Sequence, residues 1–134
     1  MATYLALFTY EKAAWRDMVR QPEDREAAAR AVIDAAGGSL LAFYWMLGDH
    51  DGLAIYEAPD APAAAAVTAA ILSSGRVWDV RTNALLTAPE ALGALRRAGE
   101  VAPAYRPPGR VSPPGASRSP ARPGAHPRTS APAA

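Results

Sequence analysis

Apolar and polar positions over the first 98 residues predict four strands and two helical regions. The four short stretches rich in β-branched and aromatic residues are typical of strands and span residues 3–10, 39–47, 53–57 and 77–86. Apolar residues recur at helical spacing over residues 12–36, with a bend or break expected near Pro22. Asp60 suits the N-cap of a second helix, which Gly75 ends.

The connections between these segments define a topology. The run from Gly48 to Gly52 is rich in turn residues and predicts a hairpin between the second and third strands. Thr87 and Glu90 fit a capping box for a short terminal helix that ends near Ala98. The order βαββαβ predicts an α+β ferredoxin-like fold with an antiparallel sheet and helices on one face.

Two sets of apolar residues predict how the helices and strands pack. Trp15, Met18 and Val19 recur at helical spacing, and we interpret them as core rather than as a cofactor site. In the fourth strand we expect alternate residues to share one side: Trp78, Val80, Thr82, Ala84 and Leu86. Because helices cover only one face, the apolar content of the other face, including the aromatics from Phe43 to Trp45, predicts an interface. Two sheets meeting face to face would form a dimeric α/β barrel.

Composition divides the chain near residue 98. Of the 67 residues in the hydrophobic class, 33 are Ala, and nearly all larger ones precede Gly99. Residues 1–98 hold nine basic and twelve acidic residues, whereas residues 99–134 hold five Arg, one Glu and nine of the thirteen Pro. We therefore predict a folded domain over 1–98 and a disordered Pro/Arg-rich tail over 99–134.

The tail has several possible roles. Its Arg residues suit nucleic acid or acidic lipid, its Pro-rich stretches suit aromatic grooves, and Ser112 and Ser119 precede Pro at possible phosphorylation sites. A solvated extension is the simpler interpretation, and we do not expect nucleic acid as a partner, because the Arg residues are dispersed. No apolar run is long enough to span a bilayer and the chain contains no cysteine, so we expect a cytoplasmic protein without thiolate chemistry.

Three segments carry a family resemblance. They are the run from Ala36 to Gly38, the run from Phe43 to Asp51 and the run from Ala54 to Asp60, and Val80-Arg81-Thr82 continues the pattern. Together they resemble the GYD domain family over about residues 2–90. Gly48 and Asp51 match the motif that names the family, whereas His50 stands where the family usually has Tyr. The resemblance implies a dimeric α/β barrel and assigns no reaction.

The hairpin turn offers the first candidate chemistry. In Asp49-His50-Asp51, a carboxylate can orient an imidazole as a general base, and such groups can also bind a metal. Adjacent residues in a tight turn do not converge easily, and the second histidine, His126, lies in the tail, so we predict no metal site. His50 and Asp51 remain catalytic candidates, and a purely structural turn is the alternative.

A second candidate is a cavity enclosed by dimerisation. Polar tips in an otherwise apolar lining suit a small aromatic ligand. The residues that we expect to bind it are Tyr44, Trp45, Tyr56, Arg81 and Asn83, with Tyr4 and Tyr10 nearby. A filled dimer core is the alternative.

We therefore predict a homodimer that binds a small molecule, without a cofactor and without a membrane partner. The first alternative is a cofactor-independent oxygenase or isomerase that uses His50 with Asp51 or a tyrosine. The second is a dimeric scaffold that presents two basic, Pro-rich tails.

Overall fold

A computed structural model describes residues 1–109, which form a four-stranded antiparallel sheet with helices packed on one of its faces. The elements in chain order are β1 (Ala2–Tyr10), α1 (Lys12–Arg20), α2 (Arg25–Ala35), β2 (Ser39–Trp45), β3 (Gly52–Ala58), α3 (Ala61–Ser73), β4 (Val77–Leu85), α4 (Ala88–Val101) and a 3-10 turn (Ala102–Ala104). The strand order is β2-β3-β1-β4. This order confirms the predicted ferredoxin-like α+β fold.

The helix ends follow the local signals. The helical region breaks on either side of Pro22, and Asp24 starts α2 by accepting a hydrogen bond from the Ala27 amide at 3.1 Å. Asp60 caps α3 in the same way, with the Ala63 amide at 2.9 Å. Each cap satisfies a backbone N–H that has no partner within the helix. The predicted break and the predicted cap are both confirmed.

Two glycines allow close approach of neighbouring segments. A Cβ on Gly38 would collide with the carbonyl oxygen of Glu57, and one on Gly52 would enter the ring of Phe8. Gly38 therefore lets the chain enter β2 against β3, and Gly52 lets Phe8 pack flat over the start of β3.

Burial alternates strictly along the two central strands. The buried residues of β1 and β3 face the helices: Tyr4, Ala6, Phe8, Tyr10, Gly52, Ala54, Tyr56 and Ala58. Ile33 of α2 and Val67 of α3 cover them and are also buried. We call this face of the sheet the helix side and the opposite face the open face.

Two bulges change which face some side chains occupy. In β4 the pairing shifts beside Thr9 and Tyr10, so that Trp78 has no partner and is 70% exposed. The prediction that Trp78 shares a side with Val80 is therefore wrong, and Val77 takes the buried position instead. A bulge adds one residue and reverses the alternation beyond it.

The second bulge lies at Leu41 in β2. Beyond it, Phe43 pairs with Ala54 and Trp45 with Gly52, which puts both aromatics on the helix side. Tyr44 pairs with Leu53 and lies on the open face, where it is 62% exposed. Of these three aromatics, only Tyr44 therefore belongs to the open face.

The prediction that Trp15, Met18 and Val19 of α1 belong to the core is only partly correct. Its buried residue is Ala14, and Met18 packs partly against the core. Val19 is 75% exposed, so its assignment to the core is wrong. The helix is only nine residues long, and the residues on either side of Ala14 are exposed.

The described part of the C-terminal region is helical. The capping box is confirmed, because the Thr87 amide donates to Glu90 at 2.9 Å and the Glu90 amide donates to Thr87 at 3.2 Å. The chain divides into compact units over residues 1–95 and 96–134. The predicted boundary after residue 98 thus falls inside α4, which buries none of its residues. Most of the predicted tail, including Ser112 and Ser119, lies outside the described residues.

Within residues 1–109, no helix is long and apolar enough to cross a membrane.

Candidate functional site

A cavity lies between the helix side of the sheet and the helices that cover it. Its volume is about 80 Å³, and we call it the inner chamber. Its floor includes Ala6, Phe8 and Tyr56 of the sheet, and its roof includes Ala29, Ile33 and Val67 of α2 and α3. The walls are mostly apolar, as is typical of small-molecule sites.

The small roof residues explain why space remains. The α2 residues that lie over the chamber include Ala28 and Ala29, where longer side chains would reach the sheet. The α3 helix is also rich in alanine. Protein interiors normally pack without voids much larger than a water molecule, so a roof of alanines leaves a chamber that a larger core residue would fill.

A second, wider cavity of about 340 Å³ adjoins this chamber, and we call it the outer cleft. The two cavities share wall residues, which are Tyr10, Arg25, Ala28, Val32, Ile71 and Val77. The outer cleft adds charged residues that the inner chamber lacks, namely Asp17, Glu23 and Arg76. The outer cleft is therefore the more charged of the two cavities, and Arg25 is the charged residue among the six that they share.

Arg25 stands where the two cavities meet. Its guanidinium carbon lies 5.8 Å from the centre of the Tyr10 ring, and one terminal nitrogen lies 3.5 Å from a carboxylate oxygen of Glu23. Its Nε is buried and has no hydrogen-bond partner among the described residues. A buried N–H without a partner is costly, so this group marks a place where an acceptor would be stabilised.

Tyr56 supplies a second buried polar group. The residue is 1% exposed, and its hydroxyl has no partner at hydrogen-bonding geometry within residues 1–109. Burial raises the pKa of Tyr56, and the Thr82 hydroxyl beside it lowers that pKa in part. Thr82 is itself within 2.6 Å of the Thr68 hydroxyl, which belongs to the chamber wall.

Tyr10 forms the wall on the side of the hairpin turn. Burial raises the pKa of the Tyr10 hydroxyl, and the nearby Arg25 guanidinium acts in the opposite direction. Both tyrosines are therefore held as neutral phenols, which can donate a hydrogen bond to a ligand.

Asp51 forms hydrogen bonds that support the fold around the hairpin turn. One carboxylate oxygen accepts hydrogen bonds from the Tyr10 amide at 2.8 Å and from the Trp15 indole N–H at 3.0 Å. Its backbone joins the hairpin to β1, with the Asp51 amide 2.9 Å from the Phe8 carbonyl oxygen. Asp51 thus ties together β1, α1 and the turn before β3.

His50 points to different neighbours. Its Nδ1 lies 3.5 Å from the Thr9 hydroxyl, and no hydrogen bond joins it to Asp51 in the described part of the chain. It is absent from the walls of the inner chamber and of the outer cleft. The pair predicted as catalytic is therefore not brought together as a base and its orienting carboxylate. Gly48 and Asp49 are exposed in this turn and His50 is half-buried, and residues 1–109 contain no cluster suited to a metal ion.

The five residues expected to bind a ligand are divided between the two faces. Tyr56 lies in the chamber wall, and Trp45 packs on the same side against Tyr10 and Trp15, with ring centres 5.6 and 5.5 Å away. Tyr44, Arg81 and Asn83 lie on the open face instead. Tyr44 belongs to one edge strand, and the other two belong to the opposite edge strand.

Arg81 and Asn83 have local partners on that face. The Arg81 Nε donates to Asp79 at 2.9 Å, and the Asn83 amide donates to the Arg81 carbonyl oxygen at 3.2 Å. Of the seven residues predicted for one cavity, Tyr4, Tyr10, Trp45 and Tyr56 therefore lie on the helix side, so the expectation of a single shared lining is wrong.

Sequence reasoning missed Arg25 and the alanine roof. Arg25 follows an N-cap and precedes Glu26, so it belongs to what looks like an ordinary charged first turn. The alanine content was visible and predicted thin packing, but the location of the resulting space depends on how α2 and α3 cross the sheet.

The fold is that of a ferredoxin-like α+β domain with a cavity beneath its helices. The sequence model of the GYD domain matches residues 4–95, and the chain belongs to this family. The family assignment from the sequence is thereby confirmed. No curated protein matches the chain.

Proposed function

We propose that this GYD domain protein binds a small, largely apolar molecule in the inner chamber. The observation that carries the proposal is the presence of two buried polar atoms, Tyr56 Oη and Arg25 Nε, that have no partner at hydrogen-bonding geometry within residues 1–109 and belong to residues lining one apolar cavity. An apolar pocket with a few convergent polar groups is the usual form of a ligand site.

The sizes of the two cavities limit what can bind. An apolar cavity of about 150 Å³ is enough to bind benzene in another protein. The inner chamber has about 80 Å³, which is too small for a whole ring, but it adjoins the outer cleft of about 340 Å³. We therefore propose a molecule whose ring lies across the inner chamber and the adjoining part of the outer cleft.

The test is a titration of isotope-labelled protein with benzyl alcohol as a neutral probe. We expect shifts of the signals of Ala29, Val67 and the Tyr56 ring. Ala29→Leu fills the chamber and should weaken binding at least about tenfold, since the ring and the new side chain cannot occupy the same space. Ala31→Leu, on the exposed side of the same helix, is the matched control. Equal binding by the protein and by Ala29→Leu would reject the chamber as the site.

We also propose that the open face pairs with a second copy of the chain. Its centre consists of large aliphatic side chains from β1 and β3, namely Leu5, Leu7, Leu53 and Ile55. Glu57 lies beside Thr3 on one side of this centre, and Arg81 lies beside Leu7 on the other. A two-fold axis that lies in the plane of the interface can set Glu57 of each copy against Arg81 of the other. The face is then self-complementary.

Sedimentation equilibrium tests this pairing. Ile55→Glu should weaken self-association at least about a hundredfold, because it places a charge in the apolar centre. The exposed substitution Ala31→Glu on α2 is the control. Glu57→Arg alone should also weaken association, and adding Arg81→Glu should restore it. A chain that is monomeric at micromolar concentration contradicts the proposal.

The enzymatic alternative would have to use different residues from those predicted. His50 lies away from the chamber, whereas Tyr10 and Tyr56 line it. If the protein is a cofactor-independent oxygenase or isomerase, turnover of a bound substrate should be unchanged in His50→Ala and lost in Tyr56→Phe.

The scaffold alternative rests on the tail, most of which lies outside the described residues. If deletion of residues 110–134 leaves every partner bound, the scaffold role is rejected.

A further inference from the structure

We infer that the ligand is a small organic anion, in which a carboxylate is bound by Arg25 and an apolar body lies across the inner chamber and the adjoining part of the outer cleft. This inference rests on the proposed function and adds the chemical class of the ligand. It starts from Arg25, whose side chain belongs to the walls of both cavities. A group bound there lies between the charged cleft and the apolar chamber.

The guanidinium of Arg25 retains unused donors. It carries five N–H groups, and its ion pair with Glu23 is long at 3.5 Å and involves a carboxylate that is itself more than half exposed. Its Nε–H has no partner within the described chain. A carboxylate accepts two parallel hydrogen bonds from a guanidinium, including one from Nε, and such charge-assisted bonds are the strong ones. An anion would therefore complete the hydrogen bonding of Arg25.

The other charged groups around the cleft have partners of their own. Arg76 is paired with Asp17 across the cleft. The carboxylate of Asp51, close to Tyr10, accepts from the Tyr10 amide and the Trp15 indole. Glu23 is thus the acidic group that competes with a ligand for Arg25. It lies at the surface, where an ion pair contributes little.

The chamber adds a requirement for an apolar body. Its floor and roof are formed by alanine, aliphatic and aromatic side chains, so a free inorganic anion would gain nothing from entering it. Phe8 and Phe43 stack with ring centres 5.5 Å apart beside the chamber, and both contribute to its wall. A planar ring can pack against such a wall while its carboxylate remains at Arg25.

The test compares three probes by calorimetry on the intact chain: benzoate, benzyl alcohol and acetate. We expect benzoate to bind at least about fivefold more tightly than benzyl alcohol, and acetate to show no binding at the same concentration. This comparison uses the unmodified protein and therefore does not depend on the folding of a variant. If benzoate and benzyl alcohol bind equally, the inference is wrong and the proposed function stands. If neither binds, the proposed function fails as well.

Variants of the charged residues then separate recognition from support of the fold. Arg25→Met should lower the affinity for benzoate about tenfold and the affinity for benzyl alcohol by a clearly smaller factor, because a neutral hydroxyl accepts a weaker hydrogen bond from a guanidinium than a carboxylate does. Arg30→Met, an exposed arginine of the same helix that pairs with Glu26, should change neither affinity. Glu23→Gln removes the competing carboxylate and should raise the affinity for benzoate about twofold. An equal loss of both probes in Arg25→Met would show a structural role and overturn the inference.

Discussion

The two faces of the sheet are built from the same strands and differ in what covers them. In β1, Tyr4, Ala6, Phe8 and Tyr10 are buried on the helix side, whereas the alternating residues on the open face remain half-exposed. The helix side is covered by alanine-rich helices and retains a cavity. The open face carries large aliphatic side chains, and its apolar surface faces outward.

This difference shows that burying the side chains of a sheet and filling the space between the sheet and its helices are separate properties. A strand with period-two alternation directs one set of side chains toward the helices, but the helices decide whether the space between is filled. Here the bulky residues are in the sheet, and the small ones are in the covering layer. The helix side therefore suits a ligand, and the open face suits a second sheet.

The largest expected contrast between the faces concerns two tyrosines on adjacent strands. Tyr56→Ala should destabilise the protein by about 3–5 kcal/mol, since it removes a fully buried ring from the core. Tyr44→Ala on the open face should cost less than about 0.5 kcal/mol in the monomer. Denaturant unfolding at low protein concentration measures both. Similar losses at the two sites would contradict the assignment of the faces.

Asp51 offers a contrast within the hairpin turn. Asp51→Ala should cost about 1–3 kcal/mol, because it leaves the Tyr10 amide and the Trp15 indole without an acceptor. The indole N–H signal of Trp15 should move accordingly in an NMR spectrum. Asp49→Ala and His50→Ala in the same turn are the controls and should have small effects. An unchanged Trp15 signal would show that the contact does not form in solution.

The Tyr56 hydroxyl provides a more subtle test of the helix side. Tyr56→Phe removes a buried hydroxyl that has no partner at hydrogen-bonding geometry within residues 1–109, and it should leave stability at pH 7 unchanged or raise it by up to about 1 kcal/mol. A loss of more than about 1 kcal/mol would show instead that the hydroxyl is well bonded in the folded protein.

The same hydroxyl determines a pH dependence. Because burial raises the pKa of both Tyr10 and Tyr56, the folded state favours the neutral phenols. Their contribution is complete below the ordinary pKa of about 10 and is lost as the pH rises through the higher pKa of the folded state. Alkaline unfolding should therefore coincide with tyrosinate absorbance, and Tyr56→Phe should make stability fall less steeply. Tyr44→Phe on the open face is the matched control.

The smallest effect is expected at the cap of α4, which belongs to neither buried layer. Hydrogen bonds from the Thr87 amide and hydroxyl lower the pKa of Glu90. The stabilisation of this helix start is therefore present above the ordinary carboxyl pKa and declines as the pH falls through the lowered one. NMR titration should show the Glu90 pKa rising toward its usual value in Thr87→Ala. No change would mean that the capping box is not formed.

Much of the architecture could be predicted from local signals. Two helix starts are fixed by hydrogen bonds to backbone N–H groups within a few residues, one at Asp60 and one at Thr87 with Glu90. Such interactions depend on nearby sequence alone, which is why these helix starts and the element order were predictable. Pro22 marks the break before α2, whose cap at Asp24 was not predicted.

The site could be predicted only in part, because its geometry depends on distant pairing. The bulge at Leu41 decides that Trp45 faces the helices and Tyr44 does not, and the bulge beside Tyr10 turns Trp78 outward. The role of Arg25 depends on where α2 crosses the sheet. None of these three facts has a signal within its own segment. Tyr56 was expected to bind a ligand, but on the face that a second copy would cover rather than beneath the helices.

The most direct test of the central claim is a crystal structure of the protein soaked with benzoate. We predict density for the ring across the inner chamber and the adjoining part of the outer cleft, beside Ala28, with the carboxylate within hydrogen-bonding distance of Arg25. Density confined to the open face, beside Tyr44 and Arg81, would contradict the account. So would a chamber that stays empty at a benzoate concentration that saturates the protein in solution.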